Sequence, residues 1–300
     1  MKVLIAGGSG FLGQALAQEL AAHQHVVHTL VRRPARATTE VEWHPERAEL
    51  DRDALRGFDA VVGLSGAGIA DKRWTPEYKR LLLESRVQPT GTLATALAAL
   101  PAGDRPATFL NASAIGYYGD RGDQPLPESA AAGTGFLADL VVTWEAATAP
   151  AAEAGVRVVT LRTGLVLSAG GGLLKRLVPL FKLGFGGRLG SGRQYQSWIS
   201  LADEVGAMRH LLSADQVSGP VNLAGPAPVR NDEFSSQLGR VLHRPALLPA
   251  PALGIRLALG EFADEGALAS QRVIPQRLLD SGYEFQHPDL QSALTWAIQH

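Results

Sequence analysis

A serine and two tyrosines near the middle of the chain carry hydroxyl groups at a spacing that suits acid–base chemistry. Ser113 follows the apolar segment Ala107–Ala112, and Tyr117 and Tyr118 come shortly after it. A serine hydroxyl can polarise a substrate carbonyl, and a neighbouring phenol can pass a proton to the same substrate. We therefore take Ser113, Tyr118 and, ranked below it, Tyr117 as the candidate catalytic residues.

These hydroxyl groups need a sheet edge that a ligand can reach, and the first residues of the chain indicate such a sheet. The apolar run Val3–Ala6 predicts a buried strand, helical spacing from Phe11 predicts a helix, and Val26–Val31 predicts a second strand. Strand patterns recur at 59–64, 107–112 and 156–161, with helical patterns between them. This alternation predicts an α/β fold with a doubly wound parallel sheet.

Glycines lie between the first predicted strand and the first predicted helix. Gly8, Gly10 and Gly13 match the pattern G-x-G-x-x-G, and Gly7 begins a second, overlapping pattern with wider spacing. A dinucleotide pyrophosphate binds the backbone N–H groups that open a helix, where a Cβ atom would obstruct it. The alternative is a tight packing turn. The predicted cofactor contacts in this turn are Gly7, Ser9, Gly10, Phe11, Leu12 and Gly13.

Two arginines at the end of the second strand indicate which dinucleotide binds. NAD-binding proteins usually carry an acidic residue there for the ribose hydroxyls, whereas Arg32 and Arg33 could pair with a 2′-phosphate. NADP(H) is therefore favoured, with a solvated basic loop as the alternative. A methyltransferase with a similar glycine turn would also need an acidic residue at this strand end, and none occurs between Val31 and Glu40.

Further cofactor contacts are predicted where the next strand ends and on the helix that follows. The carboxyl end of this strand carries Leu64, Ser65 and Gly66, where the backbone could come close to the adenine or ribose of a ligand. A helix is predicted to begin near Thr75 and to be kinked or divided at Pro89. Arg86 on this helix is either a solvated residue or a second phosphate ligand.

Seven motifs are spread along the chain: GGSGFLG, LSGAGIADKRW, ASAIGYYGDRGD, WEAA, LRTGLVLS, GSGRQYQSWIS and SQRVIPQRLL. In these motifs the chain resembles the extended, atypical short-chain dehydrogenase/reductases of the NAD-dependent epimerase/dehydratase type, specifically an epimerase-like family of unknown substrate. The resemblance implies a Rossmann-like domain over residues 1–168, to which about 194–225 return, and a smaller α+β C-terminal substrate cap over 169–300. It also implies NADP(H) and places Val166 near the nicotinamide.

One feature of that superfamily is missing. Active members place a lysine four residues after a tyrosine, where it lowers the pKa of the phenol and holds the ribose. None of the five tyrosines has a lysine at that spacing, and no lysine occurs between Lys79 and Lys175. Two interpretations remain. Either Arg86 or Arg121 supplies the positive charge in place of the lysine, or the hydroxyl groups of Ser113, Tyr117 and Tyr118 only line the cofactor site.

The second half of the chain supplies candidates for substrate binding. The segment Gly119–Gly135 predicts a solvated lid rather than a metal site, and the glycine-bounded segment from Gly170 predicts a closing loop. Asp203 and Asn231 are predicted to cap helices. The candidate substrate contacts are Trp74, Arg193, Tyr195 and Trp198, and Trp198 has a core position as its alternative.

Composition limits the classes of function. The 300 residues are 46% hydrophobic, contain no cysteine and carry a net charge of −1, which excludes disulfides and indicates neither nucleic acid nor a membrane as partner. We therefore expect a cytoplasmic, NADP(H)-binding oxidoreductase or nucleotide-sugar epimerase-like protein that acts on a small polar substrate without a metal. The alternative is a non-catalytic, redox-sensing NADPH-binding module.

Overall fold

A computed structural model describes residues 1–300 as thirteen strands and ten α-helices. The strands are β1 Lys2–Ala6, β2 Val26–Val31, β3 Glu40–Glu42, β4 Ala60–Gly63, β5 Thr108–Ala114, β6 Pro125–Leu126, β7 Arg157–Thr163, β8 Leu165–Ser168, β9 Tyr195–Gln196, β10 Trp198–Ser200, β11 Gly219–Leu223, β12 Val229–Arg230 and β13 Arg272–Val273. The helices are α1 Phe11–Ala22, α2 Pro76–Ala98, α3 Phe136–Ala146, α4 Ala149–Glu153, α5 Gly172–Lys182, α6 Leu201–Ser213, α7 Asn231–Val241, α8 Ala252–Leu259, α9 Gln276–Asp280 and α10 Leu290–Gln299.

Seven parallel strands form the central sheet in the order β11-β7-β5-β4-β1-β2-β3. The strand order reverses between β1 and β4, which is the position where open α/β sheets bind ligands beyond the carboxyl ends of their strands. The predicted α/β, Rossmann-like doubly wound fold is therefore confirmed. The late strand β11 joins this sheet beside β7, and α6 packs on α1 with an Arg209–Glu19 salt bridge of 2.8 Å.

The first βαβ unit follows from its sequence pattern. Val3, Leu4 and Ile5 are completely buried because both faces of a central parallel strand are covered by helices. Leu16 and Leu20, one turn apart in α1, bury the inner face of that helix in the same core. The second strand begins and ends at the predicted residues, Val26 and Val31.

The structure does not divide the helix at Pro89, which was one of the two outcomes predicted there. This residue lies inside α2, which runs without interruption from Pro76 to Ala98. Proline removes one helical hydrogen bond, but Pro89 is buried, and α2 packs along its length against α3 and α4. Tertiary packing therefore keeps the two halves of α2 continuous.

Both predicted helix caps are shifted in the structure. Ser200 is the N-cap of α6 and accepts a hydrogen bond from the Asp203 N–H, so Asp203 lies within the first turn. Asn231 is the first residue of α7, and its side chain accepts from the Leu189 N–H instead of capping the helix.

Most residues of the segment 119–135 are exposed, but it is attached to the C-terminal part of the chain at Leu126 and Glu128 and is therefore not a free lid. Its strand β6 pairs with β13, and Leu126 is completely buried. Glu128 is also buried, and its carboxylate is satisfied there because it accepts hydrogen bonds from the backbone N–H groups of Asn222 and Arg277. None of the helices is both long enough and apolar enough to cross a lipid bilayer.

Candidate functional site

The glycine turn between β1 and α1 is closed so tightly that side chains cannot be added to it. A Cβ atom on Gly13 would lie 2.7 Å from Gly8 Cα and closer still to the Gly7 carbonyl oxygen. Gly7 has φ of +81°, and a Cβ there would lie 2.8 Å from the Leu64 carbonyl group. The turn therefore requires glycine at these positions for backbone reasons.

The N-terminus of α1 is open to a ligand. Gly10 is its N-cap, no side chain caps it, and its first turn contains no acidic residue. The N–H groups of Phe11, Leu12 and Gly13 thus have no partner within the helix, and the helix dipole favours an anion at this end. This is the arrangement that binds a pyrophosphate.

Arg32 and Arg33 follow β2 but differ in their surroundings. Arg33 makes a bidentate pair with Glu40, at 2.8 Å and 2.6 Å, whereas Arg32 is exposed. The hydrogen bonds from Arg33 lower the pKa of Glu40 to about 2, so the pair stays ionised over the physiological range. Arg32 is therefore the freer cation, and Glu40 fixes the orientation of Arg33.

The loop after β4 contacts the glycine turn on one side and the side chain of Arg86 from helix α2 on the other. The Arg86 guanidinium donates to the Ala67 and Leu82 carbonyl oxygens and lies over the Trp144 ring. Burial lowers the pKa of Arg86 to about 10, and no carboxylate forms a salt bridge with it. Leu64, Ser65, Gly66 and Arg86 are thus brought together with the glycine turn, as the prediction requires, although what they bind remains a prediction.

Ser113 lies at the carboxyl end of β5 in a buried polar cluster with Glu145 and Arg162. The Ser113 hydroxyl donates to Glu145 Oε1 at 2.6 Å, and Arg162 donates to both Glu145 oxygens at 2.8 Å. Burial alone would lower the pKa of Arg162, but its bonds to Glu145 outweigh burial and raise that pKa. The only hydrogen of the Ser113 hydroxyl is therefore directed at a carboxylate, and its oxygen is left to accept from a substrate.

The two tyrosines occupy different environments. Tyr118 is completely buried, donates to Asn222 Oδ1 at 2.7 Å and accepts from Arg162 at 3.1 Å, and burial raises its pKa. Tyr117 is only partly buried, and the Arg162 guanidinium carbon lies 3.4 Å from its ring centroid. The Tyr118 hydroxyl is therefore fully engaged inside the protein by Asn222 and Arg162, whereas Tyr117 is partly accessible, and which of the two phenols acts on a substrate stays a prediction.

The four candidate substrate residues also differ in whether their side chains are buried or accessible. Trp74 and Trp198 are core residues: their indole N–H groups donate to the backbone carbonyls of Ile69 and Ala227, and they are 7% and 0% exposed. Arg193 is exposed, and Tyr195 is partly buried between the guanidinium groups of two other arginines. Only Arg193 and Tyr195 present accessible side chains, and Val166 in β8 is also partly exposed.

A serine, an aspartate and a histidine also meet at the start of α6. Ser200 donates to Asp203 at 2.7 Å and lies 2.9 Å from His287 Nδ1. Both contacts of the imidazole, to Ser200 and to Asp203, use Nδ1, whereas a hydrolase triad needs the serine and the acid on opposite ring nitrogens. This cluster is therefore an anchor for the C-terminal segment: Asp203 also accepts from the N–H groups of Gln286 and His287.

Arg162 is predicted from the sequence to lie at the carboxyl edge of the sheet, with a structural ion pair as its alternative, but its partner Glu145 was not assigned to the site. Arg162 is a charge inside the otherwise apolar strand VVTLRT, and a buried charge needs a partner. Glu145 ends the apolar helix segment LVVTWE. A search for the partner of a charged strand residue would have identified this pair.

Two family models match the chain. The model described as "NAD dependent epimerase/dehydratase family" matches residues 3–224, and "Domain of unknown function (DUF1731)" matches residues 250–297. The first match includes the glycine turn, Arg32 and Arg33, and the Ser113 cluster.

Similar proteins occur in bacteria and animals. The epimerase family protein Mb2239 of Mycobacterium bovis is 50% identical over 98% of this chain and 97% of its own length. Human epimerase family protein SDR39U1 is 34% identical over 98% of both chains. A crystal structure described as human SDR39U1 (isoform2) with NADPH has a TM-score of 0.91 and 33% identity, and covers 100% of this chain and 99% of the human one. From these matches, the chain belongs to the NAD-dependent epimerase/dehydratase family, among its SDR39U1-type members with a C-terminal DUF1731 domain.

Proposed function

We propose that this protein is an NADP(H)-dependent oxidoreductase or nucleotide-sugar epimerase-like enzyme that acts on a small polar substrate. The observation that carries the proposal is the closed glycine turn opening α1, together with two arginines at the end of the neighbouring strand β2. The similarity to human SDR39U1, whose crystal structure is described with NADPH, supports the choice of cofactor.

The residues of the turn and of the neighbouring strand ends fit such a cofactor. The N–H groups at the start of α1 would hold the pyrophosphate, Arg32 and Arg33 the 2′-phosphate, and the loop Leu64–Gly66 the adenosine. Arg86, which no carboxylate pairs, would add a further positive charge. When bound, the nicotinamide would accept or supply a hydride.

The Ser113 cluster provides a route for a proton that does not depend on a Tyr-x-x-x-Lys pair. A substrate hydroxyl that donates to Ser113 Oγ can pass its proton through the serine to the Glu145 carboxylate, since the serine hydrogen already points there. Arg162 holds the carboxylate in position with two hydrogen bonds. Tyr117 is the phenol best placed to contact the same substrate.

The test of cofactor choice is calorimetric titration with NADPH and NADH. Replacing Arg32 and Arg33 together by alanine should weaken NADPH binding about ten- to a hundredfold, because charge-assisted hydrogen bonds to the 2′-phosphate are lost. NADH binding should stay unchanged, because that dinucleotide has no 2′-phosphate. Arg47→Ala, a surface arginine paired with Glu49, is the control and should leave both affinities unaltered. Equal losses for the two dinucleotides would exclude the assignment.

The two tyrosines allow a matched pair of variants. Tyr117→Phe should lower turnover without changing stability, whereas Tyr118→Phe should lower the free energy of unfolding by about 1–2 kcal/mol because Asn222 and Arg162 lose a buried partner. Turnover is followed at the nicotinamide absorbance with whichever substrate a metabolite screen identifies. A loss of turnover confined to Tyr118→Phe would restore the ranking made from the sequence.

A second candidate function is a non-catalytic NADPH-binding module, and one observation favours it. Helix α3, the helix that follows the Ser113 strand, carries neither a tyrosine nor a lysine in its sequence FLADLVVTWEA. An enzyme should oxidise or reduce at least one compound in the metabolite screen, and Ser113→Ala should abolish that activity. A sensing module should bind NADPH tightly and turn over nothing.

A further inference from the structure

Large apolar side chains are exposed mainly in one part of this protein. Thirteen large hydrophobic residues are exposed in the whole chain, and seven of them lie in two segments, 172–190 and 240–258. Their side chains are open to solvent to a high degree, with Leu247 at 81% and Leu183 at 71%. The seven residues are Leu180, Leu183, Phe185, Leu247, Leu248, Leu253 and Leu257.

The two segments are about sixty residues apart in sequence but are joined by their backbones. The Leu248 N–H donates to the Gly186 carbonyl at 3.0 Å, and the Ala250 N–H donates to the Arg188 carbonyl at 2.9 Å. The Gly190 N–H returns a bond to the Ala250 carbonyl at 2.8 Å. We refer to residues 172–190 and 240–258, held together in this way, as the leucine surface.

The leucine surface is also basic. Its two segments contain Lys175, Arg176, Lys182, Arg188, Arg240, Arg244 and Arg256 and no aspartate or glutamate, although the whole chain has a net charge of −1. Salt bridges to residues outside the surface occupy two of these side chains, through Asp71 and Asp264. The other five cations form no salt bridge.

We propose that the leucine surface is a peripheral docking site for a lipid bilayer that contains anionic lipids. Exposed leucines beside unpaired lysines and arginines are the combination that binds such a surface: the apolar side chains enter the acyl boundary while the cations reach the headgroups. Helix α8 contributes Leu253 and Leu257 one turn apart, with Ile255 turned into the protein. The same two backbone-joined segments thus carry both exposed apolar side chains and positive charge.

The charge pattern argues against a second copy of the chain as the occupant. A symmetric dimer through this surface would place the same unpaired cations of two copies against each other and desolvate them without counter-charges. A lipid bilayer avoids this problem because its headgroups supply the negative charges. The net charge of the whole chain does not reveal this basic surface, because its seven cations are divided between two segments and acidic residues elsewhere balance them.

The test is co-sedimentation of the full-length protein with vesicles. We expect binding to vesicles of equimolar phosphatidylcholine and phosphatidylglycerol, little binding to phosphatidylcholine alone, and weaker binding as salt is raised. The double variant Lys175→Glu and Lys182→Glu should weaken binding at least about twentyfold. The double variant Leu253→Ser and Leu257→Ser should weaken it about tenfold or more.

The control for the leucine variant is Leu81→Ser with Leu279→Ser, two leucines of 46% and 44% exposure outside the leucine surface. This variant should bind vesicles like the unmodified protein, and all variants should keep the thermal unfolding midpoint of that protein. Absence of vesicle binding, equal binding to neutral vesicles, or an equal loss in the control would overturn the proposal. Self-association or capture of an acidic protein through the same leucines, without vesicle binding, would also overturn it.

Discussion

Replacing Gly13 by alanine is expected to weaken NADPH binding roughly a hundredfold and to lower the free energy of unfolding by about 1–3 kcal/mol. The added methyl group would lie 2.7 Å from Gly8 Cα and still closer to the Gly7 carbonyl oxygen, so the turn must open. Opening it displaces the N–H groups at the start of α1 and moves Gly7 away from Leu64. Calorimetric titration measures the affinity, and denaturant unfolding measures the stability.

The control for this variant is Gly91→Ala. Gly91 lies inside α2, where an added Cβ atom would have no neighbour within 4 Å. Alanine should therefore stabilise the helix by about 0.5–1 kcal/mol and leave NADPH binding unchanged. If Gly13→Ala bound NADPH as tightly as Gly91→Ala, the glycine turn would not be the cofactor site.

The second large effect is expected from Arg162→Leu, which should lower the free energy of unfolding by about 3–5 kcal/mol. The substitution leaves the Glu145 carboxylate without the two hydrogen bonds that neutralise it and removes a donor from Tyr118. Adding Glu145→Leu to the same chain should recover part of the loss, since the unpaired buried charge is then absent. Denaturant unfolding of the two single variants and the double variant measures this coupling.

The matched control is Arg256→Leu, which removes a surface arginine paired with Asp264. Both side chains of that pair are more than half exposed, so the change should cost less than about 1 kcal/mol. A comparable loss of stability in the two arginine variants would show that the burial of Arg162 does not determine its contribution.

The sequence predicted the elements that have a local pattern. β2 was predicted residue by residue because its apolar run is bounded by polar residues, and α1 because its leucines recur at helical spacing. Pro89 and Asp203 were assigned from local preferences alone. In the folded chain Pro89 is held in a helix by packing, and Asp203 is engaged by residues more than eighty positions away.

The sequence also predicted which segments form the candidate site, since the carboxyl ends of parallel strands lie at one edge of a sheet. It could not distinguish the two adjacent tyrosines, because their environments depend on Asn222 in β11 and Arg162 in β7. The burial of Trp74 and Trp198 likewise depends on distant elements. Partners from remote strands decide whether a polar or aromatic residue faces a ligand or the core.

The Asp203 anchor has a consequence for how the chain can be divided. This carboxylate holds the Tyr283, Gln286 and His287 segment, while the helix that carries Asp203 rests on α1. A fragment ending before residue 280 would leave the carboxylate buried with no donors from that segment. We therefore expect the first βαβ unit to depend on the C-terminal segment for part of its stability, so that limited proteolysis near the C-terminus should loosen it at the opposite end of the polypeptide.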